Sequence, residues 1–427
     1  MPSNVNSRIL SKLSQSEAMA AAVRHESLYC GRVGGARAVF AFRDLTGLNL
    51  AGRNLADADF TGAILAEADL SGTRLDSASF FGADLRRANL TQASLRRADL
   101  RGVCLKGANL LGADLFEADL REGTIAEKDR NGNLHVLQHD IGPTELPSAL
   151  LKSANLTRAK MSGAVAVQAD FTDALMKNCR LVRANLRQAK MSGANLENAD
   201  LSGCNLSGAV LTGAVLVGCK LEHAVLDGAD LTHTLTSKPA GVEPEKSAIT
   251  IETLLSAHAR WAESDGRVGQ PADLSGYDLR QVADLGSRPL TALQAPGATL
   301  YGLDLEGVSL QGSNLANADL RSVRLAGADL RGVNLMGAKL TRADLRDTKL
   351  GPLMLDNDIL LPARLDGAEA RYVDLRGADL RRASFKGADL AYGNLIDTNL
   401  REANFAEANL SGSRLPPQFH QALLAVG

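Results

Sequence analysis

The sequence predicts an all-β solenoid: a right-handed quadrilateral β-helix in two blocks, with short capping helices. Three observations predict it. Leu or Phe recurs at every fifth residue, through Leu45, Leu50, Leu55, Phe60, Leu65, Leu70, Leu75, Phe80 and Leu85 and onward to Leu120. A small residue stands two places before most of them (Ala58, Ala63, Ala68, Thr73, Ala78, Ala83), often followed by Asp or Asn, as at Asp59, Asp69, Asp84 and Asn89. The composition sets 40 glycines and a 45% hydrophobic share against only 4% aromatics, so the core must be built from small and aliphatic side chains.

Neither the helical period of about 3.6 residues nor the strand period of about two generates a spacing of five. The spacing follows if each five-residue unit forms one side of a square coil and successive coils stack. The Leu or Phe then points inward together with the small residue, which is small because four walls crowd the axis. The two residues after it form the corner, where Gly62, Gly72, Gly82, Gly102 and Gly107 tolerate tight-turn dihedrals. A lone coil buries too little to offset the entropy of ordering it, so the units must come in long arrays.

Units such as Ala68-Asp69-Leu70-Ser71-Gly72, Ala108-Asn109-Leu110-Leu111-Gly112 and Ala328-Asp329-Leu330-Arg331-Gly332 resemble the A(D/N)LxG consensus of the pentapeptide-repeat family. The resemblance covers roughly four-fifths of the chain. It implies the β-helical fold and is weak for function, since most members have no assigned activity. It also implies a second functional reading, because the family's best-known members modulate DNA gyrase and resemble duplex DNA.

The elements follow in order. Residues 1–42 form an N-terminal helical cap: Ser14 and Glu17 have capping-box spacing before an Ala-rich segment, predicting a helix over 15–29. Residues 43–235 form the first solenoid. It is interrupted at 126–148 by a polar insertion in which Asn131-Gly132 signals a hairpin turn, and its register resumes at Leu151, Leu156 and Met161. Residues 236–271 hold a linker with Pro239 and Pro244 and a second cap, where Ile251, Leu254, Leu255 and His258 predict a helix over 250–263. Residues 272–415 form the second solenoid, which slips by one residue before Leu285. In it Leu350, Leu355, Leu360 and Leu365 keep the period, so 351–362 reads as a degenerate coil with a distorted corner. A C-terminal cap follows at 416–427, where Phe419, Leu423 and Leu424 offer either a cover for the last coil or a homodimer contact. Gly-Arg-Val-Gly follows both predicted helices, at 31–34 and 266–269, which suggests a duplicated module whose helices cover the sticky open ends of two separate rods; the alternative is a second helix against a side wall and one coaxial rod.

Chemistry is sparse. No GxSxG, glycine-rich phosphate loop or convergent Ser/His/Asp set is present, so no catalytic residue, cofactor or metal site is expected. His135 and His139 have a metal-binding spacing only if helical, and they lie in the hairpin segment; His223 and His233 fall on opposite faces. Cys179, Cys204 and Cys219 replace Ala at inward positions and read as small core residues. The recurrent Asp and Asn read as outward side chains bonding turn backbone. No apolar run is long enough to span a membrane and no leader is evident, which makes the cytoplasm the expected location.

Charge decides between the functional readings. A DNA-like rod of about fifteen coils at about 4.8 Å would need on the order of forty negative charges. The chain carries -2, with 12 acids against 10 bases in the first run (43–125) and 19 against 17 in the last (272–415). Mimicry is disfavoured, and direct nucleic-acid binding is not expected, because the basic clusters have hardly any aromatic residues among them. The leading reading is a protein-protein interaction scaffold with a protein partner. Its specific contacts are expected in the irregular parts, the 126–148 insertion, the 236–271 interdomain region and the C-terminal tail; the candidate residues are Arg130, Asn131, His135 and His139 in the insertion and the exposed cations Arg180, Arg183, Arg187 and Lys190.

The inward assignment of the small residue is testable. Ala98→Trp or Ala328→Trp should overpack the axis by more than the roughly 1–3 kcal/mol of an added methylene and abolish cooperative folding, read as loss of the thermal transition.

Overall fold

The computed structural model describes residues 10–123, 126–128, 134–136, 142–241, 250–355, 359–417 and 419, with backbone alone for 126–128 and 134–136. The chain divides into two compact units, Met1–Ser237 and Lys238–Gly427.

Parallel bridges link each residue before a central Leu or Phe to the one twenty residues on, as in Asp59↔Ser79↔Asp99↔Asp119. Four five-residue units therefore make one coil, and each coil carries four columns of bridges. The central residue donates its N–H one coil forward and the residue before it donates one coil back: Leu65 N–H reaches Asp84 O at 2.7 Å, and Asp69 N–H reaches Leu48 O at 2.9 Å. The central side chains and the small ones two places earlier are buried from Leu45 to Leu216 and again from Leu274 to Leu400. Like residues stack in register, so Phe40, Phe60 and Phe80 lie face to face with centroids 5.0 and 4.7 Å apart. Where Thr73 or Ser313 replaces the small Ala, its hydroxyl bonds the Leu50 or Leu290 carbonyl at 3.0 and 2.9 Å, so neither hydroxyl is stranded in the axis. Cys179 and Cys204 are likewise buried and donate to Ala159 O and Leu181 O. Burial pushes the Cys204 and Cys219 thiols up to about 12, which leaves them inert as nucleophiles.

In the first unit, α1 (Gln15–Tyr29) begins at a Ser14/Glu17 capping box and buries Ala18, Ala22 and His25. Its side chains replace the hydrogen bonds of a missing coil. Gln15 gives its amide N–H to Asn49 O at 2.7 Å and accepts Asn49 N–H at 2.8 Å, and Glu26 accepts Asn54 N–H at 3.1 Å. The insertion contains β1 (Ala126–Lys128) paired antiparallel with β2 (Leu134–Val136), the hairpin that its turn signal predicts; the turn itself lies outside the described residues. One detail needs correction. Register resumes at Leu146, not Leu151: Leu146 is fully buried, Thr144 fills the inward small position, and Cys104 bridges Glu145. Pro147 at the corner hides that unit from a sequence count. The unit's last bridges join β3 (Val215–Leu216) to β4 (Leu235–Thr236) in parallel.

In the second unit, residues 238–241 lie along the first coils, where Ala240 N–H reaches Asp278 at 2.9 Å and Arg280 reaches Lys238 O at 3.0 Å. The helix α2 (Ile251–Glu263) packs Ile251 and Leu255 into the same apolar cluster as Leu274 and Leu279. A 3-10 turn at Leu285–Ser287, entered through Asp284 at φ 56°, absorbs the extra residue that separates Asp278 from its bridge partner Thr299. At the other end, Phe419 is buried edge-on against Phe405 of the final coil. Leu423 and Leu424 lie outside the described residues.

A second correction concerns 351–362, which is not a degenerate coil. Asn334 bridges Arg364, thirty residues on, so ten residues leave the ladder. Within them β5 (Leu353–Met354) pairs antiparallel with β6 (Leu360–Leu361), seated against Gly312 and Gly332. A side chain at Gly332 would stand 2.8 Å from Leu353 Cβ. Leu355, expected inside, is 43% exposed. Ten residues are two whole units, so the excursion leaves the five-residue phase untouched. Deleting 352–361 should therefore join Leu350 to Leu365 in register and preserve both the circular-dichroism spectrum and a cooperative melt within a few degrees of the parent.

Candidate partner-binding surface

The outer wall is built from the residues flanking each central Leu. Asp or Asn before it accepts the backbone N–H two residues on, as Asp69 does from Ser71 at 3.0 Å and Asn89 from Thr91 at 3.2 Å, which is the turn-bonding role expected of these side chains. Where Arg follows the Leu, it folds back on that Asp through two nitrogens. Arg86 on Asp84, Arg101 on Asp99, Arg321 on Asp319 and Arg381 on Asp379 all do so. Arg87, Arg96 and Arg97, which look like part of a basic cluster in sequence, are neutralised by Glu67, Asp114 and Glu117. Among the described ion pairs Arg280–Asp278 is the most enclosed, with side chains 10% and 5% exposed. Burial alone would raise the Asp278 carboxyl, but Arg280 and the N–H groups of Ala240 and Arg280 hold it below the usual carboxylate range.

The candidate cations differ. Arg180, Arg183, Arg187 and Lys190 are all exposed, and none forms an ion pair with a described residue. They do not share one wall. Arg180 stands in the column of Asp99, Asp119, Lys160, Asp200 and Lys220; Arg183 sits at the next corner, with φ 57°; Arg187 follows Asn185 in the neighbouring column; and Lys190 belongs to the column after that. The structure adds two residues to Arg180. Lys160 and Lys220 lie one coil before and two coils after it in the same column, exposed and without ion pairs. Asp200, the acid among them, accepts from Ser202, and this bond with the nearby Lys220 and Arg180 charges keeps it ionised below its usual range. Lys220 escapes a sequence reading because a column position is defined only once the coil length and the insertion offset are known.

A shallow basin of 570 Å³ adjoins the column, lined by Arg97, Asp99, Arg101, Glu117, Asp119, Arg158 and Lys160. It is open to solvent, and its carboxylates are already held by arginines: Glu117 by Arg97 and Arg158, Asp99 by Arg101 and Asp119 by Arg121. Among the described residues no group of His, Cys, Asp and Glu could hold a metal ion. Of the insertion candidates, Arg130, Asn131 and His139 lie outside the described residues, and His135 is described only as backbone in β2.

The family model for pentapeptide repeats matches residues 44–82, 83–122, 149–188, 169–208, 179–216, 204–234, 313–351, 363–391 and 383–416, more than half of the chain. The chain belongs to the pentapeptide-repeat family. Among solved pentapeptide-repeat structures it is similar to Rfr23 from the cyanobacterium Cyanothece 51142, with 30% identity over 32% of this chain and 90% of that one and a TM-score of 0.24. HetL, involved in heterocyst differentiation regulation in Nostoc sp. strain PCC 7120, is 22% identical over 92% of this chain and 95% of that one, with a TM-score of 0.13. QnrB1, a plasmid-mediated fluoroquinolone resistance protein, is 20% identical over 47% of this chain and 90% of that one, with a TM-score of 0.28. No curated protein matches the chain. Among the described residues of this pentapeptide-repeat protein, no helix is long and apolar enough to cross a membrane.

The wall pairs differ in how much they stabilise the repeats. Asp278→Ala removes the carboxylate that faces Arg280 in an enclosed site and should cost about 3 kcal/mol. Asp84→Ala frees an exposed arginine and should leave the urea midpoint nearly unchanged.

Proposed function

We propose that this pentapeptide-repeat protein is a non-enzymatic, cytoplasmic scaffold for protein-protein interaction, built on a right-handed, four-sided β-helix. The twenty-residue bridge interval supports four sides, and the family resemblance supports the hand. The surface we assign to a partner centres on Lys160, Arg180, Arg183 and Lys220, with Arg187 and Lys190 around the next corners and the 126–148 insertion as a further contact. The observation that carries this reading is the contrast in pairing. Arginines that follow the central Leu are commonly clamped by a carboxylate, whereas these cations are exposed and make no ion pair with a described residue, as suits a site for an acidic protein surface. The alternative, a gyrase-directed DNA mimic, needs a surplus of exposed negative charge, and the wall pairs its carboxylates with arginine instead.

The test is capture of partners from a bacterial lysate with the wild type and with Arg180→Glu/Arg183→Glu. The double variant should lose the wild-type partner while melting as the parent does, and binding by the wild type should weaken as salt rises. Recovery of DNA gyrase that survives the charge reversal would reverse the assignment.

A further inference from the structure

The two capping helices hold the same side chain in the same pose. His25 of α1 and His258 of α2 are both fully buried. Each accepts a backbone N–H at Nδ1, from Ala38 at 3.0 Å and from Ala272 at 3.1 Å. An imidazole that accepts at Nδ1 carries its single proton on Nε2. Beyond this shared bond the two caps differ. His25 Nε2 lies 2.8 Å from the Ala56 carbonyl, and α1 is also held by the Gln15 and Glu26 bonds to Asn49 and Asn54. His258 Nε2 is buried beside the Thr291 backbone without a completed hydrogen bond.

We propose that α2 is an acid-released cap: a proton on His258 lifts the helix from the first coil of the second repeat block and uncovers that coil's strand edge. A second ring proton would sit on Nδ1, directed at the Ala272 N–H, donor against donor. Among the described residues, none offers it an acceptor. On α2, Glu252 is clamped by Arg288 at 3.0 Å, and Arg260 and Glu263 make no bond to the imidazole; Trp261 stacks on it at 5.7 Å. On the coil, Asp273 is engaged by Ser275. Burial accordingly holds the His258 imidazole below the ordinary histidine value.

The sign follows from linkage. The free or unfolded histidine takes up a proton near pH 6.5 and the capped one only at lower pH, so the open state binds more protons between the two values. Cap stability is therefore complete above about pH 6.5 and is lost as pH falls below it. The helix is lightly held: Ile251 and Leu255 are its buried apolar residues, Leu254 packs partly buried beside them, and the Glu252–Arg288 pair is solvent-facing on the acid side. An uncovered edge presents unpaired N–H and C=O groups to any other strand, so release changes what the protein can pair with.

Amide hydrogen exchange on the full chain between pH 7.5 and 5, corrected for intrinsic rates, tests the proposal. Protection of Ala272 should fall by up to about tenfold per pH unit below about pH 6.5, while that of Ala38 stays nearly level. His258→Gln, whose amide oxygen can accept the Ala272 N–H without titrating, should flatten the profile. An unchanged slope in His258→Gln, or equal losses at Ala38 and Ala272, overturns the proposal. If the variant is already open at neutral pH, wild-type imidazole NMR decides: His258 must gain its proton as Ala272 loses protection, and a ring that stays neutral through the opening overturns it.

Discussion

Every interior coil passes hydrogen bonds in both directions along the stack, with the N–H of the central residue going forward and that of its predecessor going back. This exchange obliges the chain to return over itself after twenty residues, and the rest of the structure follows from it. It places like positions above one another, so that Phe40, Phe60 and Phe80 form a ring stack and Arg97, Glu117 and Arg158 form a charge ladder. It also leaves the first and last coils with groups that nothing inside the repeat can satisfy. The side chains of Gln15, Glu26 and His25 answer that need at the start of the first unit, and His258 does so at the start of the second. Capping is thus a hydrogen-bonding problem before it is a hydrophobic one.

The five-residue period was legible because one residue per unit must be large and apolar and another must be small. The caps were legible for local reasons: Ser14 and Glu17 form the reciprocal bonds that their spacing implies. What stayed hidden were features that do not disturb the phase. Leu355 and Leu360 fall on the five-residue beat yet lie in a ribbon, because a ten-residue excursion restores the beat at Leu365. Leu146 was hidden for the opposite reason, since Pro147 and Glu145 make its unit look unlike its neighbours. The cations at 180–190 could be seen in sequence, but their spread over three columns could not, because a column is a property of the coil.

Electrostatically the protein is close to balanced in an ordered way. Asp before and Arg after a buried Leu point to the same side of the wall, two residues apart, and the arginine fork meets both carboxylate oxygens. A unit that contains Asp-Leu-Arg is therefore self-neutralising wherever it occurs, which lets the repeat multiply without accumulating field. Charge surplus can arise only where a unit departs from that triplet, as at Arg180 and Lys220.

The seated ribbon at 351–362 shows how such a repeat can be edited. Because the backbone tolerates extra chain in whole units, the fold has a reading frame, and an in-frame insert costs the coils above and below nothing but a pair of glycines for a seat. An out-of-frame insert, such as the one that ends at Leu146, must add a stray residue and absorb it in its own loop. Lineages of such proteins are then free to acquire decorations by duplication of pentads, and loop length modulo five becomes a record of how each was gained.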